Sequence, residues 1–403
     1  MKRILIIEDD PVTAAVYRQM FERRGYRAEA AVDGLAGLET LAILKPDGVL
    51  LDVMLPGIDG LEVLRRIRAN PDWRDLPVVA FTNAFLGEMV QEAELAGATC
   101  TLTKFDHTPW QVVERVREAI EGPTRGRGEA LEVLRGQPRE GESSDGPIVL
   151  KAGPGKAEDD DRRFLDGVRT SCLRSAPASL DAMRDLVRAF IGNPQQPDVM
   201  QALYGEAHLL AGSAALADLP LLSRVTGALE GLTKILMERP DQIRITTLRG
   251  IGQALDALDL LLAEGGAPAG LDGITPRVLV VDDDEIALRS IQHALEKAKF
   301  DIVCEADPVV AQRILDREAF DLVFLDIEMP VIRGTDLCAH LRKQPAYARV
   351  PVIYITFMSD FEDPALAELE GGDDLLVKPF LYMELALKAL ALFVKKRLEP
   401  SMV

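Results

Sequence analysis

The chain has 403 residues, 48% of them hydrophobic and 28% charged, a globular mixture long enough for two to four domains. Its 65 Asp and Glu against 46 Lys and Arg leave a formal net charge of −19, which argues against a nucleic-acid partner, because phosphate-backbone binding needs clustered Lys and Arg. No apolar run approaches the roughly 20 residues that span a bilayer, so membrane insertion is not expected. The start is basic, then apolar from Ile4 to Ile7, then acidic, which is a first strand rather than a signal peptide. Cys100, Cys172, Cys304 and Cys338 stand singly without CxxC spacing, as reduced thiols of a cytoplasmic protein rather than disulfides or a zinc site.

Residues 1–121 alternate strand and helix signals. The β-branched run Ile4 to Ile7 stops at Glu8 and Asp9, Val49 to Leu51 runs into Asp52, and Val78 to Phe81 into Thr82. Runs of this length and content fit strands buried on both faces. Val12 to Arg23 is apolar at helical spacing and fits a right-handed crossover helix. The pattern predicts a doubly wound α/β parallel sheet with its acids at the carboxyl edge, where ligands bind.

Residues 122–161 are rich in Gly, Pro, Ser and charge, with only Ala130 to Leu134 suggesting a helical turn, and form a flexible linker. Gly153 to Lys156 lacks the glycine spacing and the Ser or Thr of a phosphate loop. From 162 to 266 every strong pattern is helical: Leu180 to Ile191, Val199 to Leu216, Leu219 to Met237 and Ile243 to Leu262. Four such helices with short connections predict an all-α, up-and-down four-helix bundle. His208 lies in the second of them, with Ala211 and Gly212 one turn later on the same face, clearing the patch around an exposed imidazole. Residues 267–276 read as a second linker.

From 277 to 398 the first pattern returns at a constant offset of 274 residues. Glu8 and Asp9 recur as Asp282 and Asp283, Asp52 as Asp326, Pro56 as Pro330, Gly60 as Gly334, Thr82 as Thr356 and Lys104 as Lys378. Polar markers repeated this rigidly indicate one chemical site copied twice. Gly371 to Asp374 precedes the last strand and reads as a turn; a final helix runs from Tyr382 to Lys396.

Carboxylates converging on one edge repel unless a cation joins them, and an all-oxygen set from short side chains suits Mg²⁺, which keeps waters and accepts a phosphate oxygen. A lysine and a hydroxyl at the same edge would hold the other phosphoryl oxygens. The isolated Asp is then the nucleophile that forms an acyl phosphate.

These residues resemble the response-regulator receiver domains of two-component signalling. ILIIEDD, LLDVMLPGIDG, FT and TK carry the first resemblance; VLVVDDD, FLDIEMPVIRG, IT and VKPF carry the second. The resemblance implies flavodoxin-like folds, phosphorylation of Asp52 and Asp326, and metal binding by Glu8, Asp9, Asp282 and Asp283 with the carbonyls of Met54 and Glu328. It implies switch hydroxyls at Thr82 and Thr356 and phosphate-pairing lysines at Lys104 and Lys378.

The departures are specific. Phe105 replaces the proline that usually follows the lysine, a place Pro379 keeps in the second copy; Asn83 and Phe357 replace a small residue after the hydroxyl; Thr101 and Leu375 stand where an aromatic switch is common. The segment Ala207 to Glu230 resembles a histidine-phosphotransfer (HPt) domain through His208, Leu210, Gly212, Ser213, Ala214, Leu216, Leu222, Leu229 and Glu230, with Ala211 in place of a usual lysine.

The order receiver, HPt, receiver, without a kinase ATP site or an output domain, predicts a cytoplasmic phosphorelay protein whose output is protein binding. Its implied partners are a sensor histidine kinase or other phosphorelay proteins and a downstream protein target. A phosphorylation-switched scaffold with an inert HPt module, and a phosphate sink, are the alternatives.

Overall fold

The computed structural model describes residues 1–82, 88–104, 107–121, 156–192, 197–268, 271, 274–357 and 371–399. The readings of Asn83, Phe105, Ala130 to Leu134 and Gly153 to Gly155, and of residues 122–155 as a linker, fall outside these. Two compact units divide the chain, one drawn mainly from Met1–Thr170 and the other mainly from Ser171 onward.

In the first unit β1 (Arg3–Ile7), α1 (Pro11–Arg23), β2 (Arg27–Ala31), α2 (Gly34–Leu44), β3 (Gly48–Asp52), α3 (Gly60–Ala69), β4 (Val78–Thr82), α4 (Glu88–Leu95), β5 (Cys100–Thr103) and α5 (Pro109–Glu121) alternate. The sheet order is β2-β1-β3-β4-β5, and β1 pairs in parallel with β2 and β3, as β3 does with β4. The central strands are buried throughout, which is why their sequences are continuously apolar rather than alternating. Asp10, Asp33 and Asp59 cap α1, α2 and α3 by accepting from first-turn amides. Asp10, third in the run of acids after β1, is therefore a helix cap.

The middle of the chain is helical: α6 (Lys156–Gly192), α7 (Pro197–Leu216), α8 (Pro220–Glu238) and α9 (Ile245–Ala263). The last three match the predicted helices to within two residues. The first does not. It starts inside the stretch that composition assigns to a linker and continues through Pro177, although an internal proline costs a helix about 3 kcal/mol. Burial of Ala176, Leu180, Met183 and Val187 on the shared core offsets that cost.

The second sheet follows with β6 (Arg277–Val281), α10 (Glu285–Lys297), β7 (Asp301–Glu305), α11 (Pro308–Leu315), β8 (Leu322–Asp326), α12 (Gly334–Arg342), β9 (Val352–Phe357), β10 (Asp374–Lys378) and α13 (Tyr382–Leu398). Its order, β7-β6-β8-β9-β10, is the same flavodoxin-like arrangement.

Leu271, inside the stretch that reads as a second linker, is buried in the core. That core is continuous from the helices into the second sheet, joining Leu229, Leu232, Leu255 and Leu258 to Ile291, Phe324, Leu385 and Phe393. Asp374 is not a turn residue: the turn is at Gly371, with φ +82°, and Asp374 opens β10 with its side chain buried. Among the described residues no helix is long and apolar enough to cross a membrane.

Candidate functional site

Strand register assembles each site. In the second sheet Val281 lies beside Leu325 and Asp326 beside Ile355, while Thr356 pairs with Val377 and Phe357 with Lys378. The residues at or just past these strand ends are Asp282, Asp326, Thr356 and Lys378, so the predicted acids, hydroxyl and lysine share one edge. Carboxylate oxygens of Asp282, Asp283 and Asp326 lie within 4.8 Å of one another. Lys378 Nζ bridges two of them, at 2.6 Å from Asp282 Oδ2 and 2.8 Å from Asp326 Oδ2. Asp326 Oδ1 accepts from the Glu328 amide at 3.3 Å, and Asp282 Oδ1 from the Asp284 amide at 3.0 Å.

The backbone is shaped around the central aspartate. Helices α3 and α12 start at Gly60 and Gly334, where a Cβ would collide with the carbonyl oxygens of Asp52 and Asp326. That close approach explains why glycine recurs in both copies.

Burial governs the electrostatics. Desolvation raises the Asp282 carboxyl above its ordinary range, with the Lys378 hydrogen bond pulling only partly the other way. For Lys378 burial works against the charge, yet the hydrogen bonds to Asp282 and Asp326 outweigh it and raise the lysine, which stays an ammonium at neutral pH. The same Nζ lies 4.9 Å from the centre of the Phe357 ring, which is 64% exposed, a cation–π contact at the mouth of the site. The peptide Lys378–Pro379 is cis.

The first sheet repeats the plan. Carboxylate oxygens of Glu8, Asp9 and Asp52 lie within 4.8 Å of one another, and the Met54 amide donates to Asp52 Oδ1 at 2.8 Å. Glu8, Asp52, Thr82 and Lys104 are all buried. At the two positions lacking an aromatic, Leu375 is buried in its strand, and Thr101 donates to Glu94 at 3.1 Å.

His208 lies on α7. Its Nδ1 is 2.7 Å from Oε1 of the buried Glu230 on α8, and its ring stacks on Tyr204 at 5.8 Å between centroids. Glu230 lies on one ring edge of His208 and Tyr204 across one face. The signal for Glu230 was the Leu-Glu pair of the helical segment; that its carboxylate meets the histidine depends on helix pairing.

The fold and both edges define a class, a pair of doubly wound parallel-sheet domains that each carry an acidic cluster at the carboxyl edge. The response regulator receiver domain family matches residues 4–116 and 278–390, more than half of the chain, and the chain belongs to that family. Among relatives, transcriptional regulatory protein PrrA of Mycobacterium tuberculosis is 36% identical over 125 residues, 31% of this chain and 53% of its own length. Protein RcaC of Microchaete diplosiphon is 35% identical over 113 residues, 28% of this chain and 17% of its own. The chain thus spans about half or less of the curated relatives it matches. A solved receiver domain of sensor histidine kinase PA1611 from Pseudomonas aeruginosa PAO1, with magnesium coordinated in its active-site cleft, is similar over 30% of this chain and 97% of its own, with 28% identity and a TM-score of 0.28.

Proposed function

We propose that this chain is a cytoplasmic phosphorelay protein, in which Asp52 and Asp326 accept phosphoryl groups with Mg²⁺ and His208, on a four-helix HPt-like bundle, passes them on. The observation that carries this reading is the carboxylate, hydroxyl and lysine set that recurs at one sequence offset on two sheets of the same strand order. Its donor set fits a hard divalent cation, because in the second receiver three clustered carboxylates face one ammonium and leave a net negative pocket of oxygens. Asp282, Asp283 and Asp326, with the Glu328 carbonyl, would hold the ion in that site; Glu8, Asp9, Asp52 and the Met54 carbonyl would do so in the first. The ion supplies neutralisation of the incoming phosphoryl charge.

The protein's own groups do the rest. The aspartate carboxylate attacks phosphorus, Lys104 or Lys378 supplies positive charge at the same edge, and Thr82 or Thr356 offers a hydroxyl to a phosphoryl oxygen. At His208 the Glu230 carboxylate is an acceptor only, so Nδ1 carries the proton and the Nε2 lone pair becomes the nucleophile. Partners in this reading are a phosphohistidine donor such as a sensor kinase and a protein that reads the phosphorylated receivers.

A phosphorylation-switched scaffold is the second reading, favoured by Ala211, which stands where the HPt pattern usually carries a lysine that would attract the phosphoryl group. Labelled acetyl phosphate tests the first: Mg²⁺-dependent, base-labile label on Asp52 and Asp326 with acid-labile label on His208 supports the relay, and receiver label without histidine label supports the scaffold.

A further inference from the structure

Resting on that reading, we infer that Asp326 exchanges phosphoryl groups only with a histidine carried by a separate molecule, because the second receiver is welded to the helical middle and cannot turn toward the chain's own His208. The joint is α13. Every residue from Met383 to Val394 is buried, with α8 and α9 on one side and α10 and the sheet on another. A helix apolar all round is an interior element.

The contact surfaces interlock. A side chain at Gly231 on α8 would strike the Met383 methyl. Lys388 Nζ is 2.6 Å from Asp374 Oδ2, with both side chains at most 1% exposed, and Arg249 of α9 stands 3.8 Å from the other Asp374 oxygen. Two arginines pin opposite ends of the receiver. Arg224 of α8 donates to the carbonyls of Ala298 and Lys299 beyond α10, and Arg244, just before α9, donates to the Val377 carbonyl at 3.3 Å, one residue before the active-site lysine. The chain joining the two parts is anchored as well, through Leu271.

His208 is not part of this site. Among the described residues the acidic cluster at Asp326 contains Asp282 and Asp283 and no histidine, while His208 is held by Glu230 and Tyr204. For transfer, the P–N bond of a phosphoimidazole must break as an Asp326 oxygen bonds to phosphorus and the nitrogen keeps the electron pair. That alignment within one chain would require opening a continuous core.

The test uses the full chain with Asp52→Asn. Phosphoramidate in EDTA charges His208 while the Mg²⁺-dependent Asp326 stays empty; the donor is removed and Mg²⁺ starts the transfer, read as conversion of acid-labile to base-labile label. Transfer between molecules slows about tenfold on tenfold dilution, because no tether holds the reactants together. That result, or no transfer while Asp326 still takes label from phosphoramidate with Mg²⁺, supports the inference; a rate independent of concentration overturns it. Hydrogen exchange of the wild-type chain with Mg²⁺ and beryllofluoride is the second measurement. Peptides of α8, α9 and α13 keep their protection if the joint stays closed, and joint loss of protection overturns the inference. Failure of His208 to take any label removes the relay reading alone, since Asp326 then depends on another molecule's histidine in any case.

Discussion

Replacing Lys388 with methionine probes the joint where its chemistry is most exacting. The ammonium is fully buried and sits 2.6 Å from Asp374. Methionine keeps roughly the shape and removes the charge, leaving the Asp374 carboxylate in the interior. Breaking a buried pair from one side costs about 3–5 kcal/mol. Arg249, 3.8 Å from Asp374 and 28% exposed, retains part of the compensation, so the expected loss is at the lower end, about 3 kcal/mol. For a unit of this size each kcal/mol moves Tm by about 2–4 °C, giving a fall of roughly 6–12 °C. Thermal unfolding by circular dichroism measures it, and the double variant Lys388→Met, Asp374→Leu should recover most of the loss, because apolar replacement of a buried pair is close to neutral. A single-variant loss below about 1 kcal/mol, or a double variant no better than the single, would refute the reasoning.

Other outcomes follow from the same geometry. Asp52→Asn and Asp326→Asn should each remove one base-labile, Mg²⁺-dependent label from acetyl phosphate, and undiminished labelling in the double variant contradicts the assignment. Phe357→Ala removes the ring over Lys378 at the mouth of the site, so water reaches the acyl phosphate at Asp326 more easily and its hydrolysis should be faster; an unchanged lifetime removes the ring from the account. Burial raises the Glu384 carboxyl against the opposing pull of Lys388 and Thr247. The folded chain therefore keeps a proton that the unfolded chain releases, and the stability from this group is full below the ordinary glutamate pKa of about 4.3 and lost as pH rises through the raised value. Glu384→Gln should raise Tm at neutral pH, with the gain vanishing in acid; a gain that persists at low pH contradicts the sign.

The sheet edges were legible because two independent signals agree there, β-branched runs that stop at acids and polar markers repeated at one offset. The central strands and the placing of Asp52, Asp326, Thr356 and Lys378 needed nothing further. The joint was not legible. Helical periodicity shows that a face is apolar, not what covers it, and nothing in Leu385-Ala-Leu-Lys-Ala-Leu-Ala-Leu-Phe-Val394 marks Lys388 as half of a buried ion pair. The signal present was that this helix is apolar on every side, more than one receiver face requires. Asp374 was misread for a related reason: Gly-Gly-Asp-Asp has turn composition, and only strand pairing with β9 shows that its last residue points into the core. At His208, small residues one turn later predicted open space, while the partner that orients the ring comes from the neighbouring helix, 22 residues on.

Residue-resolved mapping of phosphoryl label on the wild-type chain tests the central claim most directly. The chain is charged with a labelled donor and Mg²⁺, quenched in acid or base, and digested. The account predicts base-labile label on the peptides carrying Asp52 and Asp326 and acid-labile label on the peptide carrying His208, the last lost in His208→Gln. Label on neither aspartate, or a histidine peptide that stays unlabelled under every donor, would contradict it.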